Sequence, residues 1–525
     1  TAQDKADGLR MEAVQSVEQA KQLENPDARV ALGENEEQRL LNYFADGLVG
    51  LQTGDDPMFV AAFWEVAFYN KIIWELMQGT PVLFDHYTGQ SWMVRWEQGA
   101  GLLLSLSTSR PTQGLKALGM SGVAIHRMGQ LFPYHYSQER FHQNVATIIP
   151  HNPAHIPAIW CFCSSPEYNE AVRRIDQKLN VTNATLVKVP FDLARWQKVA
   201  DEKYPHGLPK PYTDDPTQWI FHGHPCGSVV WDEEAKWTAR GSLRTDATVL
   251  HIAVARLLGY RWPAELDENM ELATEQRDWV QCCEALLPHA DDDGIVCIPA
   301  VRGEAAAADR LLDLLVAAYG PDWNNATLTT LLTSVDCAGK TLEHWLREKF
   351  FVQHCKLFQN RPFIWHIWDG VRDGFSALVN YHKLDYKNLE TLTYTYVGDW
   401  ISRQKQDQQN GIDGAGERLA AAEALKKKLE LILQGEAPYD IFVRWKPLDK
   451  HINDGVRLNI RPFLTVPDVG KKGAGILRDK PNIKWDKDRG KDVESAPWYT
   501  VFQGNRINDH HLTLAEKLAA RRVIL

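Results

Sequence analysis

The chain has 525 residues, 44% of them apolar, which is enough to bury several cores in roughly two to four domains. Its ordinary charged and apolar fractions exclude a disordered chain. The lack of an apolar run of about 18 residues excludes a transmembrane helix, and a net charge of −10 argues, taken whole, against a nucleic-acid binder. The charge is uneven, however. Residues 441–525 hold 17 Lys and Arg against 10 Asp and Glu, leaving a net of −17 for the rest. Phosphate contact needs a local basic segment rather than a basic total; a solvated lysine-rich tail is the plain alternative.

Eight cysteines are scattered without a framework: Cys161 and Cys163, the adjacent Cys282 and Cys283, and Cys226, Cys297, Cys337 and Cys355. That usage predicts reduced thiols and a cytoplasmic location. The opening Thr1-Ala2-Gln3-Asp4-Lys5 has neither an initiating Met nor the apolar core of a signal peptide, so a processed chain or a fragment is expected. Nineteen Trp suit cores, sugar platforms and base-stacking sites alike, and most are expected in cores.

In chain order, residues 10–50 read as helical, broken at Asn25-Pro26 and ended by Gly47 and Gly50. Residues 58–78 read as an apolar, aromatic helix buried on most sides. From Pro81 to Pro150 the period shortens, and runs at 82–84, 92–96, 102–104, 122–125 and 145–149 predict strands between Gly, Pro and Gln turns. Helices are predicted from about 157 to 163, over 166–178 and from Phe191 to Glu202 with Asp192 near the start. Thr182 to Pro190 is predicted as a strand. Tyr204 to Pro225 is expected to be an ordered loop. Residues 244–286 should be helical and acidic, with a turn at 291–294 and a short apolar run at 295–298. Helices follow at 303–319, 341–359 and 417–434, then an irregular Pro-rich region and a last helix from about Thr513 to Arg522.

Most chemistry-bearing motifs fail on inspection. An adenine-N6 methyltransferase cofactor loop reads D-P-x-C-G-S-G-x-F, and His224-Pro225-Cys226-Gly227-Ser228-Val229 lacks its leading Asp and second Gly. Gly99-Ala100-Gly101, Gly414-Ala415-Gly416 and Gly473-Ala474-Gly475 are bare GxG matches. Asn152-Pro153-Ala154-His155 lacks the second Pro and the aromatic of the base-stacking N-P-P-Y, and reads better as a turn. Gly339-Lys340-Thr341 lacks a Walker cradle, and Thr341 is expected to cap a helix. His222-x-His224-x-Cys226 has a spacing too short for a usual zinc site. Pro467-Asp468 has no Asp/Glu-x-Lys after it within residues 469–500, against a restriction-type nuclease. No catalytic, cofactor-binding or metal-binding residue is therefore assigned.

Three stretches carry a family likeness. The first is Thr53-Gly54-Asp55 with Phe59 and Phe63-Trp64-Glu65-Val66. The second runs from Gly122-Val123-Ala124 through residues 145–150 and Ile159-Trp160-Cys161-Phe162-Cys163-Ser164-Ser165-Pro166. It continues to Thr182-Asn183-Ala184-Thr185, Pro190-Phe191-Asp192 and Asp215-Pro216-Thr217-Gln218-Trp219. The third holds Phe350-Phe351, His354-Cys355-Lys356, Asn360-Arg361-Pro362-Phe363-Ile364-Trp365, Tyr381-His382-Lys383-Leu384 and Asn453-Asp454-Gly455-Val456-Arg457-Leu458-Asn459. Over roughly residues 20–465 the sequence resembles the C-terminal, target-recognition half of large adenine-N6 DNA methyltransferases of BREX-type and DISARM-type phage-defence or restriction-modification systems.

The resemblance implies an α+β, mixed multi-domain chain with a strand-rich recognition domain flanked by helical domains. Residues 1–80 would be a helical connector from a catalytic domain, 81–265 the recognition domain, 266–440 a mainly helical domain and 441–525 a basic irregular segment. It implies double-stranded DNA as partner, with a catalytic domain on the same parent chain or a partner chain, other defence-system subunits in reach, and no membrane. S-adenosylmethionine would serve the full enzyme without binding this chain alone, which is expected to be inactive by itself. Base and phosphate contacts are expected in the polar loops at 110–116 and 127–140, from Arg110, Lys116, His126, Arg127, Gln130 and Arg140. Arg361 and His382 sit among apolar residues and are expected to be satisfied core groups. A non-catalytic interaction subunit of a defence complex is the alternative. A carbohydrate-active enzyme rests on Trp content alone.

Overall fold

A computed structural model describes residues 2–11, 18, 20, 39–66, 71–81, 85–106, 109–435, 439 and 456–484. The fold is α+β and divides into two units, each discontinuous in sequence. The smaller takes residues 1–50, 114–138 and 143–207; the larger takes 51–113, 139–142 and 208–525. The expected 81–265 stretch is thus shared between both units. The last predicted helix, the 82–84 run and most of the basic segment lie outside the described residues.

The smaller unit is built on a four-stranded antiparallel sheet in the order Ala45–Val49, Val145–Pro150, Gly122–His126, Pro133–Tyr136. Val145–Pro150 is buried at every position and pairs on both edges, Ala124 and Leu48 both facing Thr147. A run without polar alternation is what a fully covered central strand requires. The helix Ile156–Cys163 follows, with Ala158 through Cys163 buried. Trp160 stacks on His135 with ring centroids 3.9 Å apart, and its indole N–H donates to the Tyr204 hydroxyl at 3.0 Å. Pro166–Ile175 starts on a proline, where a missing N–H costs nothing, and Leu193–Lys203 starts on Asp192, whose carboxylate accepts the Arg195 N–H at 3.1 Å.

Among the described residues, the larger unit holds three sheets and most of the helices. Val60–Ala62, Trp92–Arg95, Trp74–Gln78 and Arg140–Phe141 form one sheet in that order, the last pair parallel. Val229–Asp232 and Trp237–Arg240 form a hairpin. Ser376–Asn380 lies between Ile295–Cys297 and Ile364–Trp368, and the last two are buried throughout. Around them pack the helices Ala247–Leu257, Ala307–Tyr319, Leu342–Glu348 and Phe350–Leu357. Val397–Gln409 and Ala415–Gln434 are joined by a turn with Gly411 and Gly414 at positive φ. One core runs through this unit, including Trp64, Trp219, Trp262, Trp345 and Trp365.

Four local expectations are corrected. Residues 58–78 are not one helix: Asp56–Phe59 gives way to the strand Val60–Ala62 and a tight turn at Phe63–Glu65, and Trp74–Gln78 is again a strand. An apolar run buried on most sides has no period to separate helix from strand. Within 10–50, Ala45–Val49 is a strand, made so by its pairing with residues 146–150. Leu102–Ser105 is a short helical turn in which Leu103 is fully buried and Leu104 is exposed. Thr182 caps Asn183–Leu186 by accepting the Thr185 N–H, so local side-chain bonding overrides the β-branched composition of 182–190.

Gly475 fixes a close approach in the larger unit. Its φ is +60° and an added Cβ would collide with the Phe463 carbonyl. Gly475→Ala is expected to lower stability by about 1–3 kcal/mol, seen as a lower melting temperature.

Candidate functional site

In the smaller unit, the loop after Gly122–His126 is fastened to the segment after Pro166–Ile175. Asn180 and Met128 form a β-bridge, the Gly129 N–H donates to Leu179 O at 3.0 Å, and the Val181 N–H donates to Arg127 O at 3.1 Å. Two arginines tie this pair of loops together. Arg127 donates from Nε to Val181 O and from Nη1 to Gln143 O, both at 2.9 Å. Arg173, in the last turn of its helix, donates to the carbonyls of Gly129 and Lys178. Asp176 adds a turn of its own by accepting the Lys178 N–H at 2.9 Å.

The result is a braced double loop. Gln130, Lys178 and Asn180 stand exposed on it beside Met128 (42% exposed) and Leu179 (65% exposed). Arg174, next to the bracing Arg173, is largely solvent-facing and lies 4.0 Å from Glu170. Gly129 reaches the turn with φ +65° and open space around it. Asn and Gln side chains offer a donor and an acceptor together, the pattern that pairs with adenine N6 and N7. Exposed apolar side chains suit the thymine methyl, and Lys or Arg suit phosphate. Holding such groups on backbone fixed by six hydrogen bonds lowers the entropy lost on binding.

The six residues expected to contact DNA divide among different tasks. Gln130 stands on the double loop with its side chain exposed. Arg127 belongs to the same loop, but its guanidinium is committed to two carbonyls, and burial lowers its pKa. His126 ends its strand half-buried, and burial lowers its pKa. Lys116 is exposed on the Leu115–Ala117 turn of the same unit. Arg110 and Arg140 belong to the larger unit. Arg110 is exposed and bridged through its backbone to Gln52. Arg140 pairs with Glu75 at 2.6 Å and lies 3.5 Å over the Trp96 ring, a packed arrangement with little free surface. Sequence reasoning missed Lys178, Asn180 and the bracing Arg173. The polar run Asp176-Gln177-Lys178 after an amphipathic helix ending in Arg173-Arg174 was the available signal.

The rejected motifs have structural tasks. Asn152 caps its own turn by accepting the Ala154 N–H at 3.1 Å. Thr341 caps Leu342–Glu348 through the His344 N–H at 3.1 Å. At 222–228 the chain is buried: His222 Nδ1 accepts the His224 N–H at 2.9 Å, the Cys226 thiol donates to Ala318 O, and Ser228 donates to Asp214. A Cβ on Gly227 would meet the Trp279 ring. Among the described residues, no three His, Cys, Asp or Glu side chains converge as metal ligands. All eight cysteines are free thiols. No helix among the described residues is long and apolar enough to cross a membrane.

Compared with family models and with curated proteins, the sequence has no match.

Proposed function

We propose that the chain recognises a DNA sequence for adenine-N6 methylation in a phage-defence or restriction-modification system, acting with a catalytic domain that supplies S-adenosylmethionine chemistry. The observation that carries this reading is the braced double loop, which presents Gln130, Asn180 and Lys178 on backbone immobilised by Arg127 and Arg173. Polar side chains on braced backbone beside exposed apolar ones suit base-edge reading better than they suit a sugar site, which would want an exposed aromatic platform. The family resemblance of the three sequence stretches supports the adenine-specific assignment, and the cytoplasm is the proposed location.

The test is selection of a preferred duplex from a random pool, followed by variants. Gln130→Ala and Asn180→Ala should each relax preference at one position, by about 1–3 kcal/mol per lost base contact. Lys178→Ala should weaken all duplexes alike and lower the salt slope by about 1. Unchanged preference in the Gln130→Ala/Asn180→Ala double variant would remove the double loop from recognition. Arg127→Ala should instead loosen both loops, since two partly buried carbonyls lose their donor, read as faster amide exchange at Gly129 and Val181.

The alternative, a non-catalytic interaction subunit, predicts co-purification with another chain and no duplex affinity in isolation.

A further inference from the structure

The larger unit carries an open groove of about 760 Å³ whose walls are cationic. Lys349 and Lys356 come from one side, seven residues apart around the helix Phe350–Leu357, so that they share a face roughly 10 Å apart. Arg372 comes from the turn that follows Ile364–Trp368. All three are exposed and enter no ion pair among the described residues. Arg478 is the fourth cation. It pairs with Glu348 at 2.5 Å, lies 4.1 Å over the Trp368 ring, and donates from Nε to Arg347 O at 2.7 Å. Glu348 is thereby neutralised, and Asp336 is the remaining carboxylate on the wall.

The turn bearing Arg372 is held in shape. Asp369 accepts the N–H groups of Val371 at 3.0 Å and Phe375 at 2.7 Å, Arg347 reaches the Arg372 carbonyl at 3.4 Å, and Gly370 sits at φ +93° against the Val469 carbonyl. Three unpaired cations therefore stand on fixed backbone around a space large enough for a nucleotide. Val352 and Trp368 complete the wall between these cations. A single carboxylate would satisfy one cation; several phosphate charges would satisfy all three.

We propose that this groove binds phosphate groups, supplied either by the polyphosphate of a nucleotide or by the backbone of a nucleic-acid strand. The proposal is independent of the double loop in the smaller unit. The experiment measures binding of ATP and of a short random-sequence duplex by the full chain and by Lys356→Ala/Arg372→Ala. Both side chains are exposed, and an unchanged melting temperature verifies the fold. Loss of ATP binding by about tenfold or more in the variant, with duplex affinity retained, identifies a nucleotide site. A duplex salt slope lower by about 2, equal for every sequence and without ATP binding, identifies a backbone contact. Identical affinities of wild type and variant for both probes, or binding of neither by wild type, overturns the proposal. Recognition by the double loop is read separately, through sequence preference, which the groove variant leaves unchanged.

Discussion

Glu65→Gln is expected to destabilise the larger unit by about 3–5 kcal/mol, the cost of removing one partner from a buried ion pair. Glu65 is fully buried, and both its oxygens are committed. Oε1 faces Arg457 Nε at 3.0 Å, while Oε2 faces Arg361 Nε at 3.4 Å and accepts the Ala62 N–H at 2.9 Å. Arg457 is itself buried and reaches Val60 O at 3.2 Å. Around this triad the Trp64 indole donates to Arg361 O at 3.1 Å, His382 Nε2 donates to Trp64 O at 2.8 Å, and Asn459 donates to the Tyr381 hydroxyl at 3.2 Å. A neutral amide in place of the Glu65 carboxylate would remove the negative charge that faces both guanidinium groups. Apolar replacement of all three residues should cost less than the single substitution, because a desolvated ion pair gains little over a packed apolar isostere. Urea denaturation of the single and triple variants checks the order; a single variant within about 1 kcal/mol of wild type, the worth of a surface pair, would contradict it.

The second large effect is loss of stability on mild acidification. His251, His354 and His366 are buried in the larger unit. His251 packs against Trp345 and Phe350, and burial brings its pKa down to about 4. Burial also holds His354 and His366 well below the ordinary imidazole range, reinforced by His251 for the former and by Arg478 and Arg347 for the latter. His354 Nε2 accepts the Ile364 N–H at 3.2 Å, a bond only the neutral ring can make. His224 falls to about 3, again mainly through burial. In each case the unfolded chain takes up a proton that the folded chain refuses. Stability is therefore fully present above about pH 6.5 and lost as pH falls, at about 1.4 kcal/mol per unit for each imidazole. For His251 alone the window from 6.5 to about 4 amounts to about 3 kcal/mol. Asp293 and Asp369 oppose this: burial raises both to about 6, so protonation near that pH favours the folded form. Four imidazoles outweigh two carboxylates. Denaturant titrations at successive pH values should show unfolding free energy falling steadily below about pH 6.5. A flat profile down to about pH 5 would contradict the burial of these rings.

The buried Glu65 cluster shows how far the sequence could be read. The first and third family-like stretches contain Glu65, Arg361, His382, Arg457 and Asn459, and the expectation that Arg361 and His382 are satisfied core groups agrees with their bonds to the Glu65–Trp64 turn. That Glu65 is the shared anion was not legible, because its partners lie hundreds of residues away and no local pattern marks such a pairing. Elements with strong local signals were found where expected: Asp192 capping Leu193–Lys203, Thr341 capping Leu342–Glu348, and the strands at 92–95, 122–126 and 145–150. The unit boundaries were not. The chain leaves the smaller unit at residue 50, returns at 114, and leaves again for 139–142, because Arg140–Phe141 joins the larger unit's sheet beside Met77 and Gln78. The double loop was half visible, since Gln130 and Arg127 stood out as polar residues in a loop. Asn180 and Lys178 join them through the Met128–Asn180 bridge and the hydrogen bonds around it, contacts that sequence spacing does not encode.

DNA recognition is tested most directly by duplex affinity as a function of salt, measured on the chain alone with a selected and a scrambled sequence. Recognition by this chain predicts a linear fall of log K against log salt, with a slope of several units from phosphate contacts. The selected duplex should hold an advantage of about 4 kcal/mol or more. A slope near zero, or equal affinity for both sequences at every salt concentration, would contradict it.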